Sequence, residues 1–215
     1  VKNDLAVADP HRVIQLLMQG SLENMAKARG CIERKDFMGK SQTMSMNNGR
    51  GGNSNYVAHS YGGSVVRDFA AAYPDKVKAL LLLDPSSEHD VDILRAIDLE
   101  QGNREIAQIK LDDMANGMSN SYLDFWSKRP LPDYPQIKDM PVTVITSVKK
   151  TENPANLFFT DKGRELWGGH WQSWAGTFPQ GRAVLTDKSG HFVQFDQPEL
   201  VLAELTRLLA ILETD

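Results

Sequence analysis

The chain has 215 residues, 41% of them apolar, and 24 Lys and Arg against 28 Asp and Glu give a formal net charge of −4. That length and composition fit one domain with a buried core, and the mild acidity, with no basic run interleaved with aromatics, excludes a nucleic-acid groove or an anionic membrane surface as partner. The single cysteine, Cys31, excludes an internal disulfide framework and a cysteine-rich zinc site; with no basic-then-apolar leader and no bilayer-length apolar run, the expected address is cytoplasmic.

In chain order, residues 11–18 make a short helix pattern. The stretch that follows near residue 40, "GKSQTMSMNNGRGGNSN", is polar and Gly/Asn-rich and offers no buried strand. Its Gly39-Lys40-Ser41 fails as a phosphate loop, because the first glycine of that motif falls on Arg34. From residue 55 onward, short β-branched or Leu-rich runs alternate with helical patterns, which predicts an α/β fold with a mostly parallel sheet flanked by helices. The predicted strands are 55–59, 77–84, 141–146 and 182–187. The predicted helices are 63–72, where Val65, Val66, Phe69 and Ala70 share a face, and 198–212, opened by Pro198. Residues 88–136 are polar, contain methionines and are broken by Gly102, Gly117 and Pro130; they are expected to be a helical cap inserted into the single domain.

The stretch "NYVAHSYGGSVV" runs a strand abruptly into a helix. Such a turn lifts the side chain at its tip above the sheet and aims the first helical N–H groups at the same point. Small residues two positions either side of that tip let strand and helix approach, the pattern G-x-S-x-G. Here Ala58-His59-Ser60-Tyr61-Gly62 supplies alanine for the first glycine. A plain Ser-Gly turn between core elements is the other reading of these five residues.

With its downstream context the chain resembles the α/β-hydrolase family over about residues 47–212. "VAHSYGG" resembles the nucleophile segment, "YPDKVKALLLLDPSSE" the following helix end and strand, "MPVTVIT" the strand after the cap, and "SGHFVQFDQPELV" the histidine loop and last helix. The resemblance implies Ser60 as nucleophile, His191 as general base and the Tyr61 backbone N–H as an oxyanion-hole donor. No cofactor is expected, and no metal cluster emerges from the histidines. The other histidines fit surface or packing roles: His59 lies in the elbow, and His11, His89 and His170 have helical or cap-like surroundings. The family's His-Gly loop, which donates the second oxyanion N–H, is absent, and so are strands that precede the elbow. Either the sequence is a shortened form of a longer protein, which is the preferred reading, or the preceding strands are lost and the chain folds only as an oligomer.

A serine hydroxyl becomes a useful nucleophile when an imidazole takes its proton and an acid holds that imidazole in one tautomer. The sequence offers two acids. Glu152 lies in the loop after "PVTVIT", where most of the family carries it, beside Lys149 and Lys150 in what reads as a solvated loop. Asp84 ends the apolar strand "LLLLDP", where some lipases carry it, and is the preferred assignment. Tyr122, Phe125 and Trp126, with Trp167, Trp171 and Trp174, are either a pocket lining or, for the helical stripe 167/171/174, ordinary core. Met114 and Met118, one turn apart, fit a pocket entrance or simple packing. The expected function is hydrolysis of a carboxylic ester or related small acyl substrate by Ser60, His191 and Asp84. The alternative is a non-catalytic ligand-binding or partner-binding member of the same fold. The oligomeric state is not readable from the sequence.

Overall fold

A computed structural model of the protein describes residues 45–46, 54–115 and 140–213. The predicted helix at 11–18, Cys31, the glycine-rich 47–53 and the predicted cap segment 116–136 lie outside the described residues. The sheet runs β1 (Ser45–Met46), β2 (Ser54–His59), β3 (Val77–Leu83), β4 (Val142–Ser147) and β5 (Gly181–Thr186), in that spatial order. β2 to β5 are mutually parallel, and β1 lies antiparallel to β2 through Ser45 against Tyr56 and Met46 against Asn55. The two-residue β1 falls within the Gly/Asn-rich stretch that was expected to offer no buried strand.

Helices connect and cover the strands: α1 (Tyr61–Ala72), α2 (Asp90–Ile97), α3 (Leu99–Ala115), α4 (Asp161–Ala175), the four-residue α5 (Val193–Asp196) and α6 (Pro198–Ile211). Because side chains alternate across a strand, a centrally placed apolar strand feeds two cores. On β3, Leu80 and Leu82 pack with Val66 and Ala70 of α1 and Trp167, Trp171 and Ala175 of α4. Ala79, Leu81 and Leu83 of the same strand pack on the other face with Val201, Leu205 and Leu208 of α6. β4 divides likewise, Val142 and Val144 to the first core and Ile145 to the second. This burial on both faces explains why "ALLLL" and "VTVIT" read as nearly continuous apolar runs.

The register levels the carboxyl ends of the strands. His59 stands opposite Leu83, Leu83 opposite Ile145, and Ser147 opposite Thr186. The residues that follow these ends therefore meet along one edge of the sheet, where α/β folds build their sites.

Candidate active site

Ser60 completes the turn from β2 into α1 in a single residue, with φ 54° and ψ −128°. A non-glycine residue in that region costs about 1 to 3 kcal/mol and persists only where its neighbours fix it. Three hydrogen bonds do so: Ser60 N–H donates to the Leu83 carbonyl at 3.1 Å, and the Ser60 carbonyl accepts from Gly63 N–H and Ser86 N–H, each at 2.9 Å. Because the turn is finished at Ser60, the helix begins at Tyr61, two residues before the predicted start. Tyr61 N–H is among the first N–H groups of α1, which have no carbonyl a turn back to bond.

The small residues around the serine have separate reasons. A Cβ on Gly62 would sit 3.8 Å from the Ala58 methyl, ordinary contact, so alanine fits where the motif has its first glycine as long as residue 62 stays small. A Cβ on Gly63 would fall 2.4 Å from Pro85 Cβ, which excludes any side chain there.

Asp84 follows β3 as Ser60 follows β2. Its φ of 37° is one that Asp tolerates better than most residues, and its N–H donates to the Ile145 carbonyl at 2.7 Å. The Asp84 carboxylate is spent on two partners: Oδ1 accepts from Ser147 N–H at 3.0 Å, and Oδ2 accepts from His191 Nδ1 at 2.7 Å. The other ring nitrogen, His191 Nε2, lies 2.9 Å from Ser60 Oγ. With a carboxylate on Nδ1, the proton sits on Nδ1, leaving the Nε2 lone pair to accept from the serine hydroxyl. The line runs from an acid whose side chain is 8% exposed to an imidazole 47% exposed, so the serine end is open to approach. Such an arrangement can take a proton from a hydroxyl and hold the resulting imidazolium. The structure brings together all three residues singled out in the sequence. Glu152 is exposed in the loop beyond β4, and the His191 nitrogen that an acid would orient is taken by Asp84.

Residues that the sequence did not reveal hold this line in place. Ser147, the last residue of β4, donates its N–H to Asp84 and its hydroxyl to the Ser189 carbonyl at 2.7 Å, so it joins the acid to the loop that carries His191. Asp196 of α5 grips the same loop, its Oδ2 accepting from Gly190 N–H at 2.7 Å and Ser189 Oγ at 3.1 Å. His59 donates through Nε2 to the His191 carbonyl at 2.8 Å. Serines at strand ends and an aspartate five residues past a histidine are too common to be distinguished without the contacts.

The flank beyond Asp84 is a second polar cluster. Arg67 of α1, buried, forks onto Glu88 and lies over the rings of Trp171 and Trp174 at 5.2 and 5.5 Å. Burial alone would raise the Glu88 carboxyl, but the charge and hydrogen bonds of Arg67 outweigh it and hold Glu88 below the usual carboxylate range. Ser87 Oγ lies 2.9 Å from His170 Nε2 and accepts from His89 N–H at 3.1 Å. Burial, reinforced by the charges of His89 and Arg67, pushes the His170 imidazole down to about 4.

Trp167 and Trp171 are buried in the first core, with Trp174 half-buried against it, so of the two readings of this stripe the core one holds. Tyr122, Phe125, Trp126 and Met118 lie outside the described residues. Of the predicted cap, residues 90–115 form α2 and α3. α2 buries Val91, Ile93 and Leu94, and α3 is tied to the loop beyond β4 by Glu105, which accepts from Leu157 N–H at 2.8 Å. Among the described residues, no group of three His, Cys, Asp or Glu is placed to hold a metal ion, and no helix is long and apolar enough to cross a membrane.

Residues 34–127 match the sequence model of a family described as alpha/beta hydrolase fold. Among solved structures the chain is similar to a predicted hydrolase from Thermoplasma acidophilum (15% identity, 74% of this chain and 51% of that one, TM-score 0.39). It is also similar to a probable hydrolytic enzyme from Pseudomonas aeruginosa (20%, 74% and 64%, TM-score 0.42) and to mouse alpha/beta hydrolase domain-containing protein 10 (18%, 78% and 66%, TM-score 0.47). The chain thus spans about half to two thirds of those proteins' lengths. Among curated proteins, 37 residues, 17% of this chain, are 51% identical to the flagellar secretion chaperone FliSB of Pseudomonas aeruginosa, of which they cover 29%. With a parallel sheet flanked by helices and the matching sequence model, the chain is a protein of the α/β-hydrolase fold.

Proposed function

We propose that this protein is a serine hydrolase acting on a carboxylic ester or related small acyl substrate. The observation that carries the reading is the continuous line from Asp84 through His191 to Ser60, at 2.7 and 2.9 Å, ending at a strained elbow. Ser60 Oγ attacks the carbonyl carbon as its proton passes to His191 Nε2. Asp84 keeps Nδ1 protonated, and its charge stabilises the imidazolium. Tyr61 N–H, at the start of α1, donates to the oxygen that becomes negative. His191 then returns the proton to the leaving oxygen as the tetrahedral intermediate collapses to an acyl-serine. A water deprotonated by the same nitrogen releases the acid and restores Ser60. Amide cleavage, carbon–carbon cleavage or acyl transfer would use the same groups, and the substrate carbonyl decides among them. The segment 88–136, inserted between β3 and β4, is read as the cap that selects the substrate.

A fluorophosphonate probe tests the reading. Stoichiometric labelling that is lost in Ser60→Ala, followed by turnover across a chain-length series of nitrophenyl esters, is the expected result. Labelling that survives the substitution, or a wild-type protein that takes no probe, overturns it.

A further inference from the structure

We infer that His59, the residue before Ser60, is a positioning residue for His191, holding it through its main chain and ring face. The inference rests on the acyl-transfer reading above and adds to it a residue that touches neither substrate nor the transferred proton.

His59 ends β2, and its imidazole reaches across to the loop beyond β5. Its Nε2 is 2.8 Å from the His191 carbonyl oxygen. A carbonyl only accepts, so this nitrogen carries a hydrogen, whereas His191 carries its own on Nδ1, facing Asp84. The two rings lie 4.5 Å apart, and Phe192 stacks on His59 at 5.3 Å and 29°. His191 has a half-exposed side chain on a loop, so packing alone leaves it rotamer freedom. Its residue is instead fixed at separate points: the ring by Asp84, the preceding loop by Ser147 and Asp196, and its own carbonyl by His59.

Charge gives a second reason for an imidazole at 59. The titratable groups acting on it are His191 and Asp84. Burial holds His59 below the usual histidine range, against the opposing pull of its bond to His191 and of the Asp84 charge. A neutral His59 donates its hydrogen bond without placing a second cation beside the imidazolium that forms on His191.

Two variants separate donor from ring: His59→Gln keeps an N–H donor and loses the aromatic face, and His59→Phe does the reverse. His59→Leu is the second donor-free variant should His59→Phe not fold. Each is compared by ester kinetics, by rate of probe labelling, by melting temperature and by the downfield NMR signal of the His191 Nδ1 proton. Loss of the donor is expected to lower kcat about tenfold with KM unchanged and to broaden the Nδ1 signal by exchange, while His59→Gln recovers at least half of the turnover and the sharp signal. A donor-free variant with wild-type kcat and a sharp signal, or His59→Gln as impaired as His59→Phe, overturns the inference. If Ser60→Ala abolishes labelling while His59→Phe labels at the wild-type rate, the role of His59 fails and the acyl-transfer reading stands. If the wild type takes no probe, that reading fails, and the Nδ1 signal still reports whether His59 holds His191.

Discussion

Among the described residues, two serine hydroxyls lie 2.9 Å from a histidine Nε2, Ser60 against His191 and Ser87 against His170, and the surroundings of the two pairs differ. Ser60 sits at a strained turn with a half-exposed imidazole beyond it, and a buried carboxylate holds that imidazole's far nitrogen. Ser87 is fully buried. Its histidine stacks on Trp167 at 5.8 Å, and among the described residues no carboxylate bonds the other nitrogen. A serine–histidine distance is therefore a poor signature by itself. The acid behind the imidazole, the backbone that lifts the hydroxyl and the open approach distinguish the Ser60 line from a satisfied core pair.

The largest test of that contrast is the pair of alanine substitutions. Ser60→Ala is expected to lower turnover by on the order of 10⁶, as loss of a serine nucleophile does, while Ser87→Ala keeps probe labelling per folded molecule. Loss of labelling in both would join the two regions into one site. Next in size is the acid: Asp84→Asn presents the wrong tautomer and should cost about 10⁴ in kcat, with Glu152→Gln near wild type in the same ester assay. The reverse result moves the acid to the loop beyond β4. Ser87→Ala should act on stability, by about 1 to 3 kcal/mol in urea unfolding, because it strips partners from His170 Nε2 and His89 N–H.

The last test is the pH dependence of the buried pair. His170 titrates near 6.5 when unfolded and is pushed down to about 4 in the fold. Between those values the unfolded chain binds more protons, so His170 contributes stability that is present above pH 6.5 and lost as pH falls toward 4. His59 is shifted in the same direction. His170→Gln should therefore flatten the acid slope of the urea midpoint without abolishing it. An unchanged slope would show that His170 is not buried as a neutral group.

What could be read from the sequence divides along the same line. The elbow was legible because strand, turn and helix are contiguous, and because the small residues Ala58, Gly62 and Gly63 bracket the serine, Gly63 at a point where a side chain would meet Pro85. Asp84 was legible as a polar residue ending an apolar run. The open choice between Asp84 and Glu152 could not be closed from sequence, since it depends on which strand end faces the His191 loop. Ser147 and Asp196 escaped because their partners are fixed by register and loop path, not by local pattern. The Ser87–His170 pair escaped for the same reason. The tryptophan stripe on α4 admitted two readings because helical periodicity identifies a buried face without saying what it is buried against.

Ser147 carries a consequence for how the protein reaches its final state. Ser60, Asp84, Ser147 and the 189–191 loop come from separate parts of the chain, and their mutual bonds span sequence separations of 42, 63, 107 and 131 residues. None can form by local folding, and parallel strands pair slowly because long loops must close first. Ser147 can bond Asp84 and Ser189 only when β4 is seated between β3 and β5, so alignment of acid, imidazole and hydroxyl requires the ordered sheet. In a refolding experiment, return of probe labelling should trail the recovery of helical circular dichroism and coincide with burial of the tryptophans, making labelling at Ser60 a clock for completion of folding.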